Sequence, residues 1–180
     1  MALIVAGSNE FREKVRKAVA SICPCYSKIS FTAAGLMQFE RPNNHNAFCQ
    51  CYCKHRAGCN LIDRLSNNFS TTIGETSADG SSEGAGNVDW DPNQKTVVGM
   101  PAGKAGTPPF IVLAHELVHA LRDHLNQPNT EQGTVRDENQ VREETLGGAD
   151  NIRTTYGGEP IANPRAGALD TTDQQDCACG

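Results

Sequence analysis

Two histidines and a glutamate lie within one short segment, in the order His115, Glu116 and His119. In a helix, residue i+4 returns to within about 40° of residue i, one turn along, so the two imidazoles face the same side. This H-E-x-x-H spacing is typical of zinc peptidases, in which both histidines bind Zn²⁺. The glutamate takes a proton from the attacking water. The sequence therefore predicts zinc-dependent hydrolysis, with Glu116 as the general base.

Apolar residues surround the motif and predict a long helix from Phe110 to about Asn126, with leucines at four-residue intervals. A helix that is apolar nearly all round is buried, and ionisable side chains on it need partners. Thr107 and Pro108 are expected as its N-cap and first residue. His124 lies about 140° around the helix from His119, so we expect it to point away from the metal.

A catalytic zinc ion needs a third protein ligand and an open fourth position. Glu143 and Glu144 lie 24 and 25 residues after the second histidine, far enough for a turn and an antiparallel return. We expect the third ligand to be one of this pair. Glu131, expected in a loop, and Glu138, expected near the start of a helix, are weaker candidates.

Arg153 and Tyr156 are candidates for stabilising the reaction intermediate. At a spacing of three they share a helix face, and such side chains can stabilise an oxyanion across from a metal. The alternative is a packing tyrosine and a surface arginine. Asp150 and Asn151 could equally orient a zinc-binding histidine through its second ring nitrogen.

These motifs resemble known families. The segment Pro108–Ala120, with the Glu143–Glu144 pair and the Gly-Gly-x-Asp of Gly147–Asp150, resembles the clostridial neurotoxin light chains. It is still more similar to the NleD-like effector metallopeptidases and related bacterial toxin domains. That second likeness extends to Asn151–Arg153 and Gly158–Arg165.

The resemblance covers roughly residues 57–165 and implies a zincin-like endopeptidase with Glu144 as zinc ligand and Glu143 beside it. It also implies a secreted effector or toxin that cleaves a protein in a target cell, with a cognate immunity or delivery protein as a further partner. The neurotoxin light chains have an R-x-x-Y pair from another place in the chain. This sequence departs from the families at Gly147, where they have Thr, and lacks a Tyr after Arg165.

Composition excludes other classes. The 180 residues suit one domain, and Leu, Ile, Val and Phe make up 34 of them, or 19%, which predicts a small core. The sequence contains no run of 18 apolar residues, so it predicts no membrane span. A net charge of −5 without Lys/Arg clusters argues against nucleic-acid binding. No signal peptide is recognisable at the start, although secretion or delivery is expected from the resemblance.

Eight cysteines are the compositional peculiarity. An even number favours disulfides in an exported protein, whereas a thiolate metal cluster and free thiols remain alternatives. Structural zinc sites usually show C-x2-C pairs, and this chain has only C-x-C pairs. The cysteines are Cys23, Cys25, Cys49, Cys51, Cys53, Cys59, Cys177 and Cys179.

The expected fold is α+β, with a central HExxH helix, a small β-sheet or hairpin, and a C-terminal helix that carries the glutamates. We expect one domain, divided into an N-terminal helix and cysteine-rich irregular region (1–56), a zincin core (57–165) and a tail (166–180). The alternative is a cross-linked binding module with a structural zinc ion. The predicted elements are helices over 8–22, 58–67 and from near Asp137, a strand over 70–74, loops over 76–86 and 103–109, and a hairpin of 87–91 with 96–100.

Overall fold

The computed structural model of the protein describes residues 2–77 and 82–169. These residues form a mixed α+β fold, as expected. The helices are α1 (Asn9–Ile22), α2 (His45–Lys54), α3 (Arg56–Asn68), α4 (Pro109–His124) and α5 (Glu131–Leu146), with a short 3-10 helix at Ala149–Asn151. The strands are β1 (Ala2–Val5), β2 (Lys28–Phe31), β3 (Met37–Glu40), β4 (Ser70–Glu75), β5 (Ser82–Gly84), β6 (Asn87–Trp90), β7 (Thr96–Met100), β8 (Gly103–Thr107), β9 (Thr155–Tyr156) and β10 (Glu159–Pro160).

A four-stranded sheet has the order β1-β4-β6-β5, in which β1, β4 and β6 are parallel and β5 is an antiparallel edge strand. Val88 and Trp90 alternate with exposed residues along β6, so one face of the strand enters the core. The indole of Trp90 donates a hydrogen bond to the carbonyl of Pro109 at 3.2 Å. The sheet is thereby fastened to the first residue of α4.

Helix α4 is buried over nearly its whole length, from Ile111 to Leu121. It packs against α1, α3, α5 and β6, and its apolar side chains belong to one continuous core. The expected buried helix is therefore confirmed, although Pro108 is the N-cap and Pro109 the first helical residue, one position later than expected. Either proline suits this place, because the N–H groups of the first helical turn have no acceptor within the helix and proline lacks this group.

Helix α5 begins at Glu131, six residues before the expected start at Asp137. The hydroxyl of Thr130 accepts the backbone N–H of Gly133 at 3.2 Å and so caps the helix. The helix ends at Leu146, before Gly147 adopts a φ of 79°. This earlier start decides which glutamate reaches the histidine pair.

The expected hairpin of 87–91 with 96–100 is wrong. Strand β6 pairs with β4 and β5, whereas β7 pairs with β8, a segment that we expected to be a loop. The physical reason is burial, because pairing with β4 places Val88 and Trp90 of β6 in the core, where α4 packs against the strand. The loop expected over 76–86 contains β5, and residues 78–81 lie outside the described residues.

The cysteine-rich region is more regular than expected. It contains the β2–β3 hairpin and α2, where we predicted irregular chain. The expected disulfides are confirmed for Cys23–Cys59 and Cys25–Cys51. Cys49 and Cys53 are also disulfide-bonded, whereas Cys177 and Cys179 lie outside the described residues.

The helices over 8–22 and 58–67 and the strand over 70–74 are confirmed as α1, α3 and β4. Ser8 caps α1 by accepting the N–H of Phe11 at 3.1 Å. None of the helices in the described residues combines the length and the apolar character that crossing a bilayer requires.

Candidate metal centre

The two histidines of the motif converge, as their spacing on α4 predicts. The Nε2 atoms of His115 and His119 are 3.1 Å apart. The first residue of α5, Glu131, completes the group: its Oε2 lies 3.2 Å from Nε2 of His115, and its Oε1 lies 3.4 Å from Nε2 of His119. Two imidazoles and one carboxylate therefore face a single point between the helices.

This donor set fits a zinc ion. Tetrahedral bonds of about 2.0–2.1 Å to nitrogen and oxygen place the donor atoms about 3.3 Å from one another, close to the three separations observed. Within the described residues, Oε2 of Glu131 is buried without a hydrogen-bond partner of good geometry. Such an orphaned acceptor is costly unless a cation satisfies it.

Glu143 and Glu144, the expected ligands, are not in this group. Along a helix that rises 1.5 Å per residue, Glu144 lies about 20 Å beyond Glu131. Its carboxylate accepts the backbone N–H groups of Ala57 at 2.9 and 3.0 Å and of Gly58 at 3.3 Å, where α3 begins. Glu143 instead pairs with Arg165 at 3.3 Å.

Each histidine is held through its other ring nitrogen. Nδ1 of His115 is 2.7 Å from Oε2 of Glu138. Nδ1 of His119 is 2.6 Å from Oδ1 of Asn129, whose amide in turn donates to Asp123 at 2.6 Å. These contacts place the ring proton on Nδ1 and leave Nε2 available as a ligand.

A buried ion pair lies behind His115. The side chains of Glu138 and Arg142 are each only 1% exposed, and the guanidinium donates to Oε1 of Glu138. Arg142 also donates to the hydroxyl of Thr107 at 2.9 Å. Because a buried charge needs both a counter-ion and hydrogen bonds, this arrangement stabilises the carboxylate that orients His115.

The charges of the site shift its pKa values. Burial lowers the pKa of His115, but the neighbouring carboxylates of Glu131 and Glu138 outweigh it and raise that pKa to about 9. Burial disfavours ionised Glu138, yet His115 and the nearby arginines lower its pKa to about 2. The closeness of both imidazoles holds the pKa of Glu131 well below its ordinary value.

Glu116 lines a cleft next to the histidines. Burial raises the pKa of its carboxyl group, while the positive potential of His115 and His119 opposes that shift. It shares the cleft with Arg153 and Tyr156. A carboxylate beside the donor group and open to a cleft is well placed to exchange a proton with a reacting water.

Arg153 and Tyr156 lie at the cleft, but not on a helix as expected. Tyr156 belongs to β9, and the guanidinium carbon of Arg153 lies 4.6 Å from the centre of its ring. The guanidinium is also 3.6 Å from Glu138. Asn139 fixes this segment, because its Oδ1 accepts the N–H of Arg153 at 2.6 Å. Burial and then the charge of Glu131 raise the pKa of Tyr156.

Two other polar residues have structural partners. Asn151 donates to the carbonyls of Leu146 and Gly147, so it caps the end of α5. His124 stacks on Phe69 at 4.7 Å and its Nε2 lies 3.0 Å from the hydroxyl of Thr71. These contacts place His124 outside the donor group.

Sequence reasoning missed three residues that support the site, Asn129, Arg142 and Asn139, and underrated Glu131. A signal for Glu131 was present, because Thr130 followed by an acidic residue is typical of a helix N-terminus. The spacing of Glu138 and Arg142 by four residues could have indicated their pairing.

The fold and the site together define a mixed α+β domain whose cleft holds a helical H-E-x-x-H motif and the carboxylate of Glu131, which completes the donor group. The chain matches the model of peptidase family M91, described as an effector protein, over residues 2–148, and it belongs to that family. Neither a curated protein nor a solved structure matches it significantly. The matched range contains the donor group and Glu116, and it ends before Arg153 and Tyr156.

Proposed function

We propose that this effector-family peptidase is a zinc-dependent endopeptidase, with His115, His119 and Glu131 as the metal ligands. The observation that carries the proposal is the donor group itself. Its three separations of 3.1–3.4 Å and the orphaned Oε2 of Glu131 suit one small cation. Glu131 replaces Glu144 and Glu143 in this assignment, because those two side chains have partners at the far end of α5.

A bound zinc ion supplies Lewis acidity, by which it lowers the pKa of a water molecule and polarises the carbonyl of the peptide bond. Glu116 accepts the proton of the attacking water and then delivers it to the leaving amine. Its raised pKa makes Glu116 a stronger base toward the water, and a protonated carboxyl group remains acidic enough to protonate the leaving amine.

Arg153 and Tyr156 act on the substrate oxygen in this proposal. Both line the cleft beside Glu116, and both carry donors that suit an oxygen gaining negative charge. The contact between the guanidinium of Arg153 and the ring of Tyr156 favours a shared orientation of the two side chains. Glu138 holds Arg153 as well as His115, so one buried carboxylate positions a metal ligand and a catalytic cation together.

Membership of an effector family favours a protein substrate inside a target cell. We infer that the chain is secreted or delivered into that cell, and that a delivery protein or a cognate immunity protein binds it. The rival interpretation, a binding module with a structural zinc ion, requires a closed ligand shell. The donor group adjoins the cleft lined by Glu116 and Tyr156, which favours an open coordination position.

The test combines metal analysis with cleavage mapping in target-cell lysates. The wild-type protein is expected to contain about one zinc ion and to generate new protein N-termini. Glu116→Gln should keep the zinc and lose at least ~10²-fold in turnover, the usual scale for loss of a general base. His124→Ala, which lies outside the donor group, is the matched control and should keep both. Undiminished cleavage by Glu116→Gln would refute the mechanism.

A further inference from the structure

Four cysteine sulfur atoms lie together where α1 ends. Cys23 and Cys25 follow that helix, Cys51 lies on α2 and Cys59 lies on α3. Two disulfides join them as Cys23–Cys59 and Cys25–Cys51. The sulfur atoms of Cys23, Cys25 and Cys59 all lie within 4.8 Å of one another. The two disulfides are therefore neighbours, and we call the four atoms the sulfur cluster.

Packing between α1 and α3 holds three of the four cysteines close together without help from the S–S bonds. These three, Cys23, Cys25 and Cys59, are at most 5% exposed. Gly58, next to Cys59, lies so close to the end of α1 that a Cβ atom there would come within 2.1 Å of the carbonyl oxygen of Ile22. Glu144 also binds the start of α3. Packing would thus keep these three sulfur atoms near one another after the disulfides were cleaved.

The spacing suits a metal ion. A Zn²⁺ ion bound tetrahedrally by four thiolates at about 2.3 Å separates the sulfur atoms by about 3.8 Å. The sulfur atoms of Cys23, Cys25 and Cys59 are already within 4.8 Å of one another, a range that includes the separation a zinc ion requires. The fourth ligand is Cys51, whose sulfur is bonded to that of Cys25 and therefore begins beside the other three. Once that bond is cleaved, rotation of the Cys51 side chain would have to bring its sulfur to the fourth position.

The cysteines of the sulfur cluster are expected to be reduced in the cytosol of a target cell. Disulfides persist in oxidising surroundings, whereas glutathione and thioredoxin keep thiols reduced in the cytosol. A protein of an effector family that is delivered into a cell enters this reducing compartment. Four thiols that lie close together are then able to bind zinc as thiolates, although their C-x-C spacing differs from the usual C-x2-C pairs.

We propose that reduction converts the sulfur cluster into a structural tetrathiolate zinc site, formed by Cys23, Cys25, Cys51 and Cys59. Each disulfide takes two electrons and two protons from a dithiol reductant, which becomes a disulfide itself. The four resulting thiols release their protons as they bind Zn²⁺. The metal then joins α1, α2 and α3 as the two disulfides did before. The site is separate from the histidine pair and does not depend on the proposed catalysis.

The test uses Co²⁺ as the probe, because thiolate ligands give it a charge-transfer absorption in the near ultraviolet that imidazole and carboxylate ligands do not. The full chain carries His115→Ala and His119→Ala, so that the donor group between α4 and α5 cannot contribute. In excess reductant, this protein should bind one Co²⁺ with the charge-transfer band, and one equivalent of Zn²⁺ should displace it. The oxidised protein should show no such band.

Cysteine variants on the same background identify the ligands. Cys51→Ser and Cys59→Ser should each lose most of the band. Cys49→Ser and Cys53→Ser, which change cysteines on α2 outside the sulfur cluster, are the matched controls and should keep it. If the controls lose as much absorption as the cluster variants, binding is unspecific and the proposal is wrong.

Circular dichroism separates folding from binding. If the reduced chain keeps its helical signal but binds no Co²⁺, the proposal is overturned. If the reduced chain loses that signal, Zn²⁺ should restore it in the Cys49→Ser protein but not in the Cys59→Ser protein. Failure of zinc to restore the signal would overturn the proposal equally.

Discussion

The buried pair of Arg142 and Glu138 offers the sharpest test of how the site is supported. Replacing Arg142 with Met keeps much of the side-chain volume but removes the counter-ion and the hydrogen bond to Thr107. Glu138 then remains buried, with His115 and the more distant Arg153 as its partners. The variant should fold, but with a large loss of stability.

The size of the loss follows from the burial of both partners. Breaking a buried ion pair by removing one partner costs about 3–5 kcal/mol. For a domain of this length, 1 kcal/mol shifts Tm by about 2–4 °C. Because His115 continues to bind Glu138, we expect the lower end of the cost, about 3 kcal/mol, and a decrease in Tm of about 6–12 °C.

The assay is thermal unfolding followed by circular dichroism in excess chelator, so that bound metal does not contribute to Tm. The matched control is Arg165→Met, because Arg165 pairs with Glu143 at 3.3 Å while its own side chain is 53% exposed. An exposed pair of this kind contributes about 0–1 kcal/mol, so the control should hardly change Tm. Equal shifts for the two variants, or no shift for Arg142→Met, would refute the reasoning from burial.

Three further predictions concern the metal and the cleft. Glu131→Gln should lose zinc in metal analysis whereas Glu144→Gln keeps it, and the opposite result would restore the assignment made from the sequence. Asn129→Ala removes only the partner of a ligand, so competition with a chelator should show zinc affinity lower by about 10–100-fold; an unchanged affinity would contradict that role. Gly99→Ala should displace Thr155, whose Oγ1 lies 2.3 Å from the site of the new Cβ, and so lower kcat with zinc retained.

The parts of the fold that the sequence predicts are those with strong apolar periodicity. Helix α4 and its histidine pair follow from spacing alone, and α1 and α3 follow from their apolar stripes. Apolar periodicity shows which face of a helix is buried, whatever elements pack against that face.

Helix α5 could not be predicted with its true start, because much of its buried face is polar. Its buried residues include Asp137, Glu138 and Asn139, which bind Arg122 of α4, His115 and the backbone of Arg153, respectively. A search for apolar periodicity does not detect such a face. The same polarity is why the sequence revealed neither the start of the helix nor the carboxylate that completes the donor group.

The pairing of β6 and β7 with other strands was hidden for a different reason. Strands β4 and β6 pair in parallel, and parallel strands are not joined by a tight turn. The sequence therefore contains no turn motif that would indicate this pairing. The segment 103–107 contains two glycines and no alternation of apolar and polar residues, so the sequence did not indicate a strand there. In the structure, all five of its residues pair with β7.

The connection between α4 and α5 has a fixed length, and this has a consequence for how related chains can vary. Arg122 binds the carbonyls of Pro128 and Gly133 across the connection, and Asn129 within it binds His119. Inserting or deleting one residue there would disrupt these contacts and displace Glu131 from the histidines. Natural length variation should therefore be rare between His119 and Glu131, and the interval of eleven residues should serve as a signature by which chains with this site are recognised.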